Sequence, residues 1–176
     1  PLTGSSQGIE LFTKASRRPE EFVSTRVPPM TETPLTVFDD DGQLLTSVKT
    51  IIDMIADADI ILATGHLDYE ETLAVVKYAV NVGVNKICLT HLPMFTIMND
   101  KDKLKVITDI GGIVEFTYQQ LMELTPTDYR FTPEMIRDYI RFFGVERCLF
   151  STDFGHISCP RPVEGMKMSI KLLLDL

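Results

Sequence analysis

Apolar and polar positions follow a block rhythm along the chain. Ile60-Ile61-Leu62-Ala63, Ile87-Cys88-Leu89, Ile113-Val114-Glu115-Phe116 and Cys148-Leu149-Phe150 are short runs, apolar almost throughout. Such runs predict strands buried on both faces, as in a parallel sheet covered by helices. Between them the apolar spacing changes to three and four. Leu73, Val76, Ala79 and Val80 predict a helix over 69–82, closed by Gly83. A second helix is predicted within 100–110, ahead of Gly111-Gly112. Thr132 and Pro133, as N-cap and first-turn proline, open a third. It carries Ile136, Tyr139 and Ile140 and ends at Gly144. A last helix starts near Pro162 and runs to the end of the sequence. Strand and helix thus alternate four times, with the long crossovers that right-handed βαβ units require.

The first third reads differently. Residues 1–35 are rich in Pro, Thr and Ser, and Pro28-Pro29 and Pro34 interrupt regular structure. Thr36-Val37-Phe38 and Gln43-Leu44-Leu45 flank Asp39-Asp40-Asp41-Gly42, which predicts a hairpin turn. A calcium loop fails on spacing, because the glycine is misplaced and no glutamate closes the loop. Thr46 or Ser47 is expected to cap a helix over 48–57, with Ile51, Ile52 and Ile55 on one face. The chain therefore divides into an irregular segment over 1–58, with a hairpin and one helix, and a (βα)4 unit over 59–176.

Composition narrows the function classes. Apolar residues make up 44% of the 176 and charged residues 24%, enough apolar material for a core. A formal net charge of −8 lacks the basic footprint that nucleic-acid binding needs. There is no run of 18 apolar residues to span a membrane, and Pro1-Leu2-Thr3-Gly4-Ser5-Ser6 has neither the basic nor the apolar part of a signal peptide. The three cysteines, Cys88, Cys148 and Cys159, form no C-x-x-C, and two lie in apolar runs, so a reducing, cytoplasmic setting is expected. The eight methionines read as core filler. No G-x-G-x-x-G, P-loop or G-x-S-x-G occurs, which leaves dinucleotide, nucleoside triphosphate and serine-hydrolase chemistry without support.

Three of the four predicted strands end alike. Small polar residues follow the apolar run, and then a candidate metal ligand: Thr64-Gly65-His66, Thr90-His91 and Ser151-Thr152-Asp153. In a parallel α/β sheet the carboxyl ends of strands converge on the active site. Neutral imidazole and carboxylate suit Zn²⁺ and similar divalent ions, and a neighbouring carboxylate can accept a proton from a metal-activated water. The bland alternatives are a hydrogen-bonded structural histidine and an aspartate that caps the Phe154-Gly155 turn. Glu70 and Glu71 fall in a first helical turn, where they complement the helix dipole, and take no catalytic role.

Thr64-Gly65-His66, Thr90-His91 and Ser151-Thr152-Asp153-Phe154-Gly155 together resemble strands five, six and eight of the amidohydrolase superfamily, metal-dependent hydrolases on a (β/α)8 TIM barrel. Leu62–Glu71, Val145–Gly155 and Pro162-Val163-Glu164-Gly165-Met166 resemble one amidohydrolase-like branch of unknown function. The resemblance covers about residues 60–176 and implies a TIM barrel of which this chain carries about the last four βα units. It implies that His66, His91 and Asp153 bind a divalent metal, Zn or alternatively Mn or another ion. It also implies that Asp153 is the proton acceptor for the attacking water. Three lower-ranked substrate-binding candidates lie nearby: His156 on the loop above the site, Arg161 for an anionic group, and Glu115 in the seventh-strand equivalent. A solvated loop histidine, a surface arginine and a hydrogen-bonded glutamate are their plain alternatives. The superfamily's first-strand His-x-His is absent, the fourth-strand bridging ligand cannot be placed, and Val23-Ser24-Thr25-Arg26 makes a poor strand. A two-metal site is therefore not closed by these residues.

Three readings follow. The leading one is a hydrolase acting on an amide, ester, lactone or related bond of a small-molecule substrate. The second is a non-catalytic small-molecule-binding or scaffold barrel. The third is a complete small doubly wound α/β domain with an open sheet. For the first two, about 59 residues before the βα units are too few for four more, so the chain is expected to be part of a larger barrel. A half barrel exposes two sheet edges, and a homo-oligomer is the expected partner arrangement.

Overall fold

A computed structural model describes residues 35–91, 100–122, 130–155 and 159–176. The described elements run α1 (Thr46–Asp57), β1 (Leu62–Ala63), α2 (Tyr69–Asn81), β2 (Ile87–Leu89), α3 (Lys101–Asp109), β3 (Gly112–Thr117), α4 (Pro133–Phe143), β4 (Cys148–Ser151) and α5 (Pro162–Asp175). Short 3₁₀ turns follow β3 at Tyr118–Leu121 and precede β4 at Val145–Arg147. The fold is α/β. Its four strands form one parallel sheet in the order β1-β2-β3-β4. The register is set by pairs such as Ala63 with Cys88, Cys88 with Ile113, and Thr117 with Ser151. The strand order follows the chain without reversal, so right-handed crossovers bring the connecting helices to one face. This arrangement is compatible with part of an α/β barrel.

The core lies between that face and the helices. Leu62, Ile87, Leu89, Val114 and Phe116 from the sheet pack with Val75, Val76 and Ala79 of α2, Leu104 and Ile107 of α3, and Ile136 and Tyr139 of α4. The ring of Phe116 meets Phe131 edge-on, stacks on Phe150 and tilts against Tyr139. The expectation of strands buried on both faces is corrected here. In β3 the residues that point toward the helices, Gly112, Val114 and Phe116, are buried, whereas on the other face Ile113 and Glu115 are half-buried and Thr117, at the strand end, is buried. On the same far face Leu149 is 46% exposed. Period-two burial comes from one covered face, and the apolar character of the other face imitates a buried one in hydropathy.

Local signals explain most element boundaries. Thr132 caps α4 by accepting from Met135 N at 3.3 Å, and Gly144, at φ 89°, ends it. Asp68 and Glu71 form a reciprocal capping box at α2, with Asp68 accepting from Glu71 N at 3.0 Å. The predicted hairpin is present as a single antiparallel bridge between Phe38 and Leu44. The Asp39 carboxylate closes its turn by accepting from Asp41 N at 3.1 Å and Gln43 N at 2.8 Å. The cap of α1 needs correction. Leu45, not Thr46 or Ser47, is its N-cap, and no side chain caps it. Leu45 N donates to Val37 O at 2.9 Å, so the hairpin itself fixes where the helix starts. On α1 Ile52 is buried and Ile51 is 57% exposed, because adjacent helical positions point about 100° apart.

Candidate functional site at the carboxyl ends of the strands

Each strand delivers one polar side chain to the same edge of the sheet. After β1 the chain passes through Gly65 at φ 64° and presents His66. After β2, Thr90 leads to His91, which is buried and sits at φ 47°. After β4, Ser151-Thr152 leads to Asp153, at φ 52°. A left-handed backbone is uncommon outside glycine, though Asp and His adopt it more readily than most residues. Here it turns the chain sharply at the strand end, so that the side chain hangs over the sheet edge instead of continuing along the strand.

The three sequence-predicted ligands lie at one edge of the sheet and approach in pairs, His66 with His91 and His91 with Asp153. The rings of His66 and His91 stand 5.5 Å apart between centroids, at a tilt of 37°. His91 Nε2 lies 3.6 Å from Asp153 Oδ2. Asp153 keeps its side chain 41% exposed, while that of His91 is only 10% exposed. The cluster is thus a closed imidazole beside an open carboxylate. Hydrogen bonds between the loops hold it. Thr90 N donates to Thr64 Oγ1 at 3.2 Å, tying the β1 and β2 ends together. Phe154 N donates to Thr152 Oγ1 at 3.2 Å, so the turn after β4 is capped by Thr152 and not by Asp153. Phe154 packs edge-on against Tyr118 and beneath α5, where Gly165 leaves room for its ring.

One member of the cluster was not anticipated. Gln119 rises from the 3₁₀ turn after β3, between the β2 and β4 ends. Its main-chain N donates to Thr152 O at 3.2 Å. With its amide nitrogen turned toward Asp153, it donates to Asp153 Oδ2 and, at 2.9 Å, to Asp153 O. The reverse orientation would set the carboxamide oxygen against these two acceptors. A sequence signal existed: Thr117-Tyr118-Gln119 is the same polar step after an apolar run. A search for metal-ligand residue types passes over glutamine.

Of the lower-ranked candidates, Glu115 lies deeper along the sheet than the cluster. Glu115 pairs across the sheet with Leu149, four residues short of Asp153 along β4. It is near enough to Cys88 to disfavour the thiolate. Burial, then the Glu115 charge, pushes the Cys88 thiol up to about 11. Arg161 is the exposed N-cap of α5. His156 lies outside the described residues, as does Val23–Arg26. A cavity of about 330 Å³, lined by Ile61, Lys86, Cys88, Ile113 and Leu149 among others, opens toward the amino ends of the strands and is separate from the cluster.

The donor set of two imidazoles and a carboxylate has the chemistry of a Zn²⁺ or similar divalent site. The 3.6 Å between His91 Nε2 and Asp153 Oδ2 suits two ligands of one ion, whose bonds are each about 2 Å long. Among the described residues, no group of three or more His, Cys, Asp or Glu side chains converges tightly enough to form a ready-made metal site. Among the described residues, no helix is long and apolar enough to cross a membrane.

The model of a family of unknown function, DUF6282, matches residues 3–115, more than half of the chain, and the chain belongs to that family. The match contains His66 and His91 and stops before Gln119 and Asp153. No curated protein matches, and no solved structure matches.

Proposed function

We propose that this member of the DUF6282 family is a metal-dependent hydrolase of amidohydrolase type, acting on an amide, ester, lactone or related bond of a small molecule. In this reading the four βα units are part of a (β/α)8 barrel. The observation that carries the proposal is the meeting of His66, His91 and Asp153 over one sheet edge, with His91 Nε2 and Asp153 Oδ2 3.6 Å apart. The unreversed strand order supports the barrel reading.

His66, His91 and Asp153 would hold the ion, which would supply a water of lowered pKa and polarise the bond under attack. The chain's own residues divide the remaining work. His91, buried, offers Nε2 in a fixed direction. Asp153, with a side chain 41% exposed, would accept a proton from an attacking water and return it to the leaving group. Gln119 and the Thr64–Thr90 contact restrain the loops that carry these side chains.

A non-catalytic binding or scaffold barrel is the second reading, and the absence of a converged three-donor group among the described residues favours it. Elemental analysis separates the two. The purified protein is expected to carry a divalent ion in stoichiometric amount after dialysis against Zn²⁺ or Mn²⁺ and buffer exchange. His66→Ala and Asp153→Asn are expected to lose most of it. A wild type that holds no metal, or variants that hold as much as the wild type, would sink the metal reading and leave the binding one.

A further inference from the structure

We infer that Gln119 is a positioning residue for Asp153, a role carried by the third strand of the sheet. Asp153 has a left-handed backbone at φ 52° and a side chain 41% exposed, so its own surroundings do little to fix it. Gln119 grips it at two points. Its carboxamide nitrogen has two N–H donors, and these meet Asp153 Oδ2 and Asp153 O, the second at 2.9 Å. The first contact sets the direction of the carboxylate, and the second restrains the turn from which it projects. Gln119 N also donates to Thr152 O at 3.2 Å, so the glutamine is anchored to the strand end it steadies. The neighbouring Gln120 secures the base of the turn from the buried side: its Oε1 accepts from Thr117 N at 2.9 Å, and its O accepts from Phe131 N at 2.9 Å. Gln119 is therefore presented by a braced turn.

The grip selects a rotamer. Oδ2 accepts from Gln119 and faces His91 Nε2 at 3.6 Å, so the carboxylate is turned toward the histidine. A glutamate at position 119 would set two carboxylates together, and an alanine would release the rotamer. The contact stands independently of the metal, but its purpose rests on the proposed function.

Two measurements on the intact protein test this separately. In the metal-free protein, the side-chain amide signals of Gln119 are assigned in ¹⁵N-labelled NMR spectra by their loss in Gln119→Ala. At least one amide proton is expected downfield of ordinary glutamine side chains and should return toward them in Asp153→Ala. Amide signals at ordinary positions, or unchanged by Asp153→Ala, overturn the contact. Should Asp153→Ala fail to fold by circular dichroism, Asp153→Asn serves, and a shift of the Gln119 signals is again required. The second measurement adds Co²⁺. Gln119→Ala is expected to weaken Co²⁺ binding about ten- to a hundred-fold and to alter its visible absorption bands, with Gln119→Asn closer to wild type than Gln119→Ala. Co²⁺ affinity and bands equal to wild type in Gln119→Ala overturn the positioning role. A wild type that binds no Co²⁺ overturns the metal reading and this purpose with it, while the amide signals still decide the contact.

Discussion

His91 and Asp153 come from strands that are not neighbours, yet they meet with Nε2 and Oδ2 3.6 Å apart over the end of β3. They meet because both residues take a left-handed backbone, at φ 47° and 52°, just past the strand. For an L-residue this conformation costs roughly 1–2 kcal/mol relative to the right-handed one. A backbone held so at two convergent polar residues is the kind of strain found at functional sites.

That strain can be measured without knowing the reaction. Asp153→Gly and Asp153→Ala both remove the carboxylate and its bond to Gln119. Only glycine relaxes at φ 52° without a Cβ penalty. Asp153→Gly is therefore expected to be more stable than Asp153→Ala by about 1 kcal/mol, as the difference in urea unfolding midpoints at equal slope. An alanine variant as stable as the glycine one would show that the backbone is not held left-handed.

Gly165 offers a second test, from the far side of the same turn. A Cβ at this position would clash with Cδ2 and Cε2 of Phe154 and lie 3.1 Å from Thr152 Cγ2. Phe154 is buried, with a ring packed on Tyr118, so it cannot swing aside freely. Gly165→Ala is expected to destabilise the protein by about 1–3 kcal/mol by overpacking, despite the better helix propensity of alanine. Because Thr152 and Phe154 flank Asp153, the same substitution should move the Gln119 amide signals. A higher thermal midpoint in Gly165→Ala would contradict this packing.

Much of this was legible in the sequence. The four apolar runs and the helical spacing between them place all four strands, and the α4 signals at Thr132, Pro133 and Gly144 sit where the helix begins and ends. His66, His91 and Asp153 could be paired from their common position after a strand, since a parallel sheet brings equivalent positions together. Two things were not legible. Ile61 and Leu149 are apolar like Leu62 and Phe150, and hydropathy alone does not tell a covered sheet face from an uncovered one. Gln119 has no distinctive residue type, and its role comes from a 3₁₀ turn and a carboxamide orientation that neither hydropathy nor spacing encodes. The cap of α1 failed for a similar reason, because a tertiary bond from Leu45 to Val37 outranked the local preference for Thr46 or Ser47.

Glu71 is a buried carboxylate whose bonds are all structural. Its Oε1 accepts from Thr36 Oγ1 at 2.8 Å and Val37 N at 3.2 Å, and its Oε2 from Asp68 N at 3.2 Å. It thus caps α2 and pins the hairpin strand to it. Glu71→Ala is expected to cost about 1–2 kcal/mol, since it removes a cap and leaves partly buried donors without acceptors. Glu71→Gln keeps one oxygen and should fall between the two. Limited proteolysis should cut near the Asp39–Gly42 turn faster in Glu71→Ala. Equal cleavage rates would mean that the hairpin is held by something else.

Cys88 and Cys148 should be slow thiols. Burial raises both to about 11, with the Glu115 charge adding to the effect at Cys88. At pH 8 the thiolate, the reactive form, is then on the order of one part in a thousand. Alkylation by iodoacetamide, followed residue by residue by mass spectrometry, should speed up about tenfold per pH unit up to the region of pH 11, as long as the fold holds. Folding raises these pKa values above those of the unfolded chain, so the neutral thiols add stability that is fully present below the unfolded value and fades as pH climbs toward 11. Glu115→Gln removes the neighbouring charge and should accelerate Cys88 while leaving Cys148 at its original rate. Complete modification of both within minutes at pH 8, in protein that circular dichroism shows to be folded, would mean that these thiols are not shielded as the fold requires.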